Sequence, residues 1–219
     1  MQIHADLTKR AVVQSNALPW VPSPLAGVER RMLERDGEEV ARATSLVRYA
    51  ANAYFAAHTH GGGEEFLVLD GIFSDESGDF PTGMYVRNPV GSSHTPFSRH
   101  GATILVKLRQ FDPTDQAFVR VDTHSQPWHP SSIDGIDLMP LHTFNEERVF
   151  LIRWQGGVAA DHHMHTGGEE VFVLSGEYHD EQGTYPVGTW IRNPPGSTHQ
   201  PMSNTGCVLF VKTGHLRSS

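Results

Sequence analysis

Over 219 residues the chain sets 17 lysines and arginines against 25 aspartates and glutamates, a formal charge of -8. Only Lys9, Lys107 and Lys212 are lysines, so no basic stripe exists for a phosphate backbone and nucleic acid is excluded as a direct partner. No apolar run could span a bilayer, and Met1 to Trp20 lacks the basic-then-apolar layout of a signal peptide, so a cytoplasmic protein without a membrane partner is expected.

In chain order, the first signal is Pro19-Trp20-x-Pro22-Ser23, which returns as Pro127-Trp128-x-Pro130-Ser131 at an offset of 108. Val28 to Ala43 is rich in Glu and Arg and has the composition of a charged helix. Its counterpart, Ile136 to Arg153, contains Pro140, β-branched and aromatic residues and a polar break at Asn145-Glu146-Glu147, so both stretches are read as strand, turn, strand. At Val47-Arg48-Tyr49, matched by Ile152-Arg153-Trp154, the offset has become 105, so three residues are missing from the second copy between Glu29 and Val47. The hairpin signal Asp36-Gly37 lies in that interval.

Residues 58 to 98 and 163 to 203 then agree at 22 of 41 positions without a gap. Short apolar runs such as Phe66 to Leu69, Met84 to Val86, Val171 to Leu174 and Trp190 to Ile191 are bounded by Gly, Pro, Asp and Ser, which is the punctuation of an all-β chain. The duplication divides the chain into domains at 1–112 and 113–219. Cys207 is the only cysteine, which excludes an internal disulfide, and Ala102 at its matched position marks it as a small core residue.

The repeated pattern that carries chemistry is His58-x-His60-x-x-x-Glu64 with His94, and His163-x-His165-x-x-x-Glu169 with His199. In an extended strand residues i and i+2 point to one side, so His58 and His60 can present two imidazoles to one cation, as can His163 and His165. Gly62-Gly63 and Gly167-Gly168 let the backbone bend so that Glu64 and Glu169 turn inward. Glu65 and Glu170, of opposite parity, are expected to face solvent or to be hydrogen-bonded rather than to ligate. Three neutral imidazoles and a carboxylate suit zinc, iron(II), nickel, cobalt or manganese, and ligand type does not choose among them.

This spacing resembles the paired motifs of the cupin superfamily, G-x5-H-x-H-x3-E-x6-G and G-x5-P-x-G-x2-H-x3-N. The second copy supplies Gly157, His163, His165, Glu169, Gly176, Gly188, Pro194, Gly196 and His199. The first supplies His58, His60, Glu64, Gly71, Gly83, Pro89, Gly91 and His94, with Asn52 in place of the leading glycine. Ser98 and Ser203 stand where the motif closes on asparagine. Among cupins, the block from His58 to Gly71 and that from Arg87 to His94 resemble the C-terminal domain of ChrR-type anti-sigma factors.

That resemblance implies two tandem jelly-roll barrels, each with zinc inside, acting as a regulatory sensor of a small molecule or oxidant. The H-x3-C-x2-C signature of the sigma-binding domain does not occur in this sequence, so direct sigma factor binding is not expected. The same subgroup also resembles small dioxygenases that cleave diketones or hydroxyacetophenones, so a metal-dependent oxygenase stands as the alternative. Tyr49, Tyr54, Tyr85, Trp154 and Trp190 are candidates to line pockets, though aromatics on alternating strand positions are more often core. Arg87 and Arg192 are expected to pair with carboxylates, those of Asp75-Glu76 and Asp180-Glu181 being nearest in pattern. Sheet edges near the N-terminal segment offer a surface for homodimerisation.

Overall fold

The computed structural model describes residues 1–216, which contain no α-helix and a single 3-10 turn at Ser15–Ala17. No helix among the described residues is long and apolar enough to cross a membrane. The chain forms two compact units, each a jelly roll of antiparallel strands.

The first unit comprises Met1–Ala5 and Leu18–Ser125. Its main sheet runs in the order Gln2–Ile3, Val28–Gly37, Ala41–Tyr49, Ala102–Leu108, Glu64–Asp75, Met84–Asn88, Val119–Asp122. The charged stretch after Val28 is a hairpin, as its duplicate predicts: Val28 pairs with Tyr49 and Gly37 with Ala41. In the second unit the matching strands are Ile136–Phe144 and Glu147–Trp154. Register sets Glu34 against Thr44 and His142 against Val149, so the three missing residues lie at the hairpin tip.

Gly71 is the corner of the first barrel. Before it, Glu64–Asp75 pairs with Ala102–Leu108; beyond it, Ile72 to Asp75 pair with Gly78–Pro81 and Ser74 with Phe97 in the facing layer. Its φ is +76°, and a Cβ there would lie 2.2 Å from the Gly101 carbonyl oxygen, so only glycine fits. The serines that replace the motif's asparagine fasten this layer, Ser98 Oγ donating to Ile72 O at 2.7 Å and Ser203 Oγ to Glu177 O at 2.6 Å. The core is Phe66, Val68, Phe73, Val86 and Ile104 with their neighbours.

The second unit takes in Asp6–Ala17 and the chain from Gln126 onward, with a core around Val171, Val173, Tyr178, Ile191 and Leu209. Cys207 is buried in that core, as expected, and burial pushes its thiol up to about 11. The units differ from the sequence halves 1–112 and 113–219 in their edge strands. Ala11–Gln14, which precedes the first repeat, pairs with Thr189–Asn193 of the second, and Val119–Asp122, which precedes the second repeat, pairs with Met84–Asn88 of the first. Each exchanged strand satisfies a row of backbone groups that would otherwise form an open edge.

Candidate metal centres

Strand pairing brings the ligand pattern together. His58–Thr59 pairs with Ser93–His94, setting His58 opposite His94, and His163–His165 pairs with Ser197–His199, setting His163 opposite His199. Gly63 and Gly168, at φ +77° and +72°, make the bend that starts the strands Glu64–Asp75 and Glu169–Asp180. In both units the three imidazoles stand edge to face around one point, with ring centroids 4.6 to 5.0 Å apart.

In the first unit His58, His60, Glu64 and His94 each offer a donor atom, all within 4.8 Å of one another. His60 Nε2 is 3.3 Å from His58 Nε2 and 3.3 Å from Glu64 Oε2, and His94 Nε2 is 3.5 Å from the same oxygen. The tautomers follow from the outer contacts. His58 Nδ1 donates to Ala56 O at 3.0 Å, and His94 Nδ1 donates to Asp75 Oδ2 at 3.1 Å. His60 Nδ1 faces Ser92 Oγ at 3.0 Å, and because that hydroxyl donates to Pro89 O it must accept from the imidazole. In their neutral forms all three rings therefore aim an Nε2 lone pair inward.

Lone pairs this close repel unless a cation lies among them, and the buried His94 Nε2 has no hydrogen-bond partner in the protein. Bonds of about 2.0 to 2.2 Å to one ion space neighbouring donors by roughly 3 to 3.5 Å, which these separations match. The residues fit a divalent metal. Burial pulls the His60 imidazole below its ordinary pKa against the attraction of Glu64, which favours the neutral, ligating form. Burial opposes charge on His94 too, but the Asp75 hydrogen bond and Glu64 outweigh it and raise that pKa.

The second unit repeats the arrangement more loosely. His163, His165 and His199 form the group, with His165 Nε2 and His199 Nε2 2.9 Å apart. Glu169 Oε2 stands 3.5 Å from His165 and 3.7 Å from His199 but is not within the same reach of His163. His163 Nδ1 donates to Asp161 O at 2.8 Å, whereas His199 Nδ1 is 3.7 Å from Asp180 Oδ2, beyond hydrogen-bond distance.

Several supporting residues lie outside the sequence prediction. Asn88 Nδ2 donates to Glu64 Oε2 at 3.1 Å and takes a bond from Arg120 at 2.8 Å. In the second unit Asn193 donates to Glu169 at 3.0 Å and accepts from Arg10 at 2.9 Å. Each arginine arrives with an exchanged N-terminal or linker segment. The asparagines and Asp75/Asp180 recur at matched positions, which was the available signal; the arginines do not. Burial raises the Asp180 carboxyl, but His199, the Tyr185 hydroxyl, the Gln182 amide and Arg10 together bring it down to about 2.

Arg87 pairs with carboxylates as expected, but they are Glu65 and Asp115, at 3.0 and 2.6 Å, rather than Asp75-Glu76. Arg192 donates to the Asp6 and Lys9 carbonyls and lies in the field of the Glu170 carboxylate. Asp75 is engaged by His94 and Ser77 instead. Glu65 is fully buried and hydrogen-bonded, and Glu170 is buried and bonded by Trp190, so neither faces solvent. Of the aromatics, Tyr49 lines a cavity, Tyr54 is exposed, Trp154 is core, and Tyr85 and Trp190 hold Glu65 and Glu170.

An outer hydrogen bond fixes a ligating imidazole and raises its basicity. Asp75→Asn is therefore expected to weaken metal binding at the first site by about 10- to 100-fold in competition with a chromophoric chelator. Asp180→Asn, which removes a longer contact, is expected to change the second site less.

A family model described as ChrR Cupin-like domain matches residues 8–112 and again 116–217. No curated protein matches the chain in sequence at a significant level. Among solved structures, a candidate dioxygenase from Nostoc punctiforme superposes with a TM-score of 0.79 at 16% identity, over 97% of this chain and 85% of the other. The protein Ylba from E. coli gives 0.75 at 15% identity over 98% and 95%. Lactobacillus farciminis oxalate decarboxylase, solved as a formate complex, gives 0.65 at 10% over 95% and 87%. At these identities the likeness is one of fold.

Proposed function

Because the chain belongs to the ChrR cupin-like domain family and carries that domain twice, we propose that it is a metal-binding bicupin with a regulatory role, sensing a small molecule or oxidant. His58, His60, Glu64 and His94 would hold one divalent cation, and His163, His165, Glu169 and His199 a second. The observation that carries this reading is the set of three inward lone pairs in the first unit, each imidazole locked by an Nδ1 contact, with His94 Nε2 otherwise unpartnered. Zinc is the cation proposed.

When bound, such an ion would act as a Lewis acid toward a ligand oxygen. The chain's own part is to orient the imidazoles, to favour the neutral form of His60 by burial and, through Asn88 and Arg120, to hold Glu64 in place. One observation favours the alternative, a metal-dependent dioxygenase: a cavity of about 470 Å³ in the first unit reaches His58, His60 and Glu64, so a substrate could approach the ion.

Elemental analysis tests the metal assignment. Protein purified without air is expected to carry up to two divalent ions per chain, and His58→Ala and His163→Ala to lose one each. Unchanged metal in both variants would reject the assignment. Zinc without oxygen uptake supports the sensor; iron with substrate-dependent oxygen uptake supports the dioxygenase.

A further inference from the structure

The two barrels differ in what their inner walls present. In the first, alternation alone would put Arg30 and Arg35 on opposite faces of Val28–Gly37. A register shift between Met32 and Glu34 reverses parity, so that Arg30 pairs with Val47, Met32 with Ser45 and Arg35 with Ala43, all on the side of the barrel interior. Both arginines line the 470 Å³ cavity, with Arg109 at its mouth and Val28, Val47, Phe55 and Ile104 along its wall.

These charges are only partly neutralised. Glu39 accepts from both terminal nitrogens of Arg30, at 3.1 and 3.4 Å, but its side chain is 62% exposed and Arg30 Nε is buried without a partner, so an incoming anion would compete with Glu39 for this fork. Arg35 is 4% exposed, donates to the Glu38 carbonyl, and has no carboxylate at ion-pair distance among the described residues. Burial, the largest cause, and the neighbouring Arg30 charge lower its pKa, while the Glu39 and Glu38 charges act against them.

The second barrel carries Leu138 where the first has Arg30, Thr143 where it has Arg35, Gly214 where it has Arg109, and Phe150 where it has Ser45. Phe150 packs on the core of the second barrel, whereas Ser45 lines the cavity of the first. Arg148 is exposed at the rim, donating to the Asn145 and Glu147 carbonyls.

We propose that the first barrel, and not the second, is the receptor for a small organic carboxylate with an apolar body, its anionic head taken by Arg30 and Arg35 and its other end directed to His58, His60 and Glu64. Planar guanidinium forks match a carboxylate, and the apolar wall matches a short aliphatic or aromatic body. The inference deepens the metal-site reading by naming the ligand class, and rests on it for the far end of the ligand.

The test is calorimetric titration of the metal-loaded chain with benzoate, phenylacetate and hexanoate, each against its amide, with metal content measured on the same samples. At least one acid is expected to bind with one equivalent per chain, a dissociation constant below about 1 mM, and an affinity about tenfold or more above its amide. Arg30→Met and Arg35→Met should bring the acid to the amide's level without loss of metal, while Arg35→Lys, which keeps the charge but not the fork, should retain only part of the preference. No saturable acid binding, two equivalents per chain, equal affinity for acid and amide, or indifference to Arg35→Met would each overturn the proposal. Full metal content with no acid binding removes this inference and leaves the metal reading; arginine-dependent acid binding by a chain without metal does the reverse.

Discussion

Arg87→Met is expected to destabilise the first unit by about 3 to 5 kcal/mol, the range for removing one partner of a buried ion pair. The guanidinium is fully buried, bonded to Glu65 at 3.0 Å and to Asp115 at 2.6 Å, and lies over the Phe111 ring at 3.6 Å. Tyr85 donates to the same Glu65 oxygen at 2.7 Å. Methionine keeps the apolar stem but takes the Arg87 charge away from two buried carboxylates, and burial then favours proton uptake by them. Arg48→Met is the comparison, since its pair with Glu29 is 45% and 39% exposed and such pairs contribute about 0 to 1 kcal/mol. Urea unfolding in the presence of chelator measures both. A loss below about 1 kcal/mol for Arg87→Met would show that the pair is not what holds this layer.

The duplication explains why so much was legible in the sequence. A helix-like composition at Val28 to Ala43 was outweighed by Pro140 in its counterpart, and both hairpins formed. His-x-His alternation and a constant offset to a third histidine placed three imidazoles together in each unit. What stayed hidden depends on non-local pairing. Ala11–Gln14 and Val119–Asp122 both alternate, and two near-identical strands offer edges to receive them, so nothing local assigns either strand to its sheet. Arg10 and Arg120 were invisible as supports of Asn193 and Asn88 for that reason. Asp115 lies 28 residues from Arg87, whereas Asp75-Glu76 both recurs and lies closer along the chain. Arg30 and Arg35 face one cavity because of a parity change that binary patterning does not register.

Metal is expected to stabilise the protein strongly above neutral pH and not at all near pH 5. Each site should contribute about 2.7 kcal/mol when free metal is a hundredfold above its dissociation constant. In metal-free protein the His60 and His165 pKa values are lowered, chiefly by burial. The unfolded chain therefore binds more protons than the folded one as pH falls below about 6.5, and stability drops through that window toward the depressed folded values. His94 has the opposite sign: its raised pKa stabilises fully below about 6.5, and that contribution disappears as pH rises through the folded value. A cation must displace that proton, because Nε2 cannot hold both. Metal binding to the first site should thus release protons most strongly just below the His94 pKa, seen as a buffer-dependent calorimetric enthalpy. Thermal unfolding with zinc against chelator, at pH 5 and pH 7.5, measures the stabilisation itself. An equal gain at both pH values would mean that these imidazoles are not the ligands, since protons and metal would then not compete for the same nitrogens.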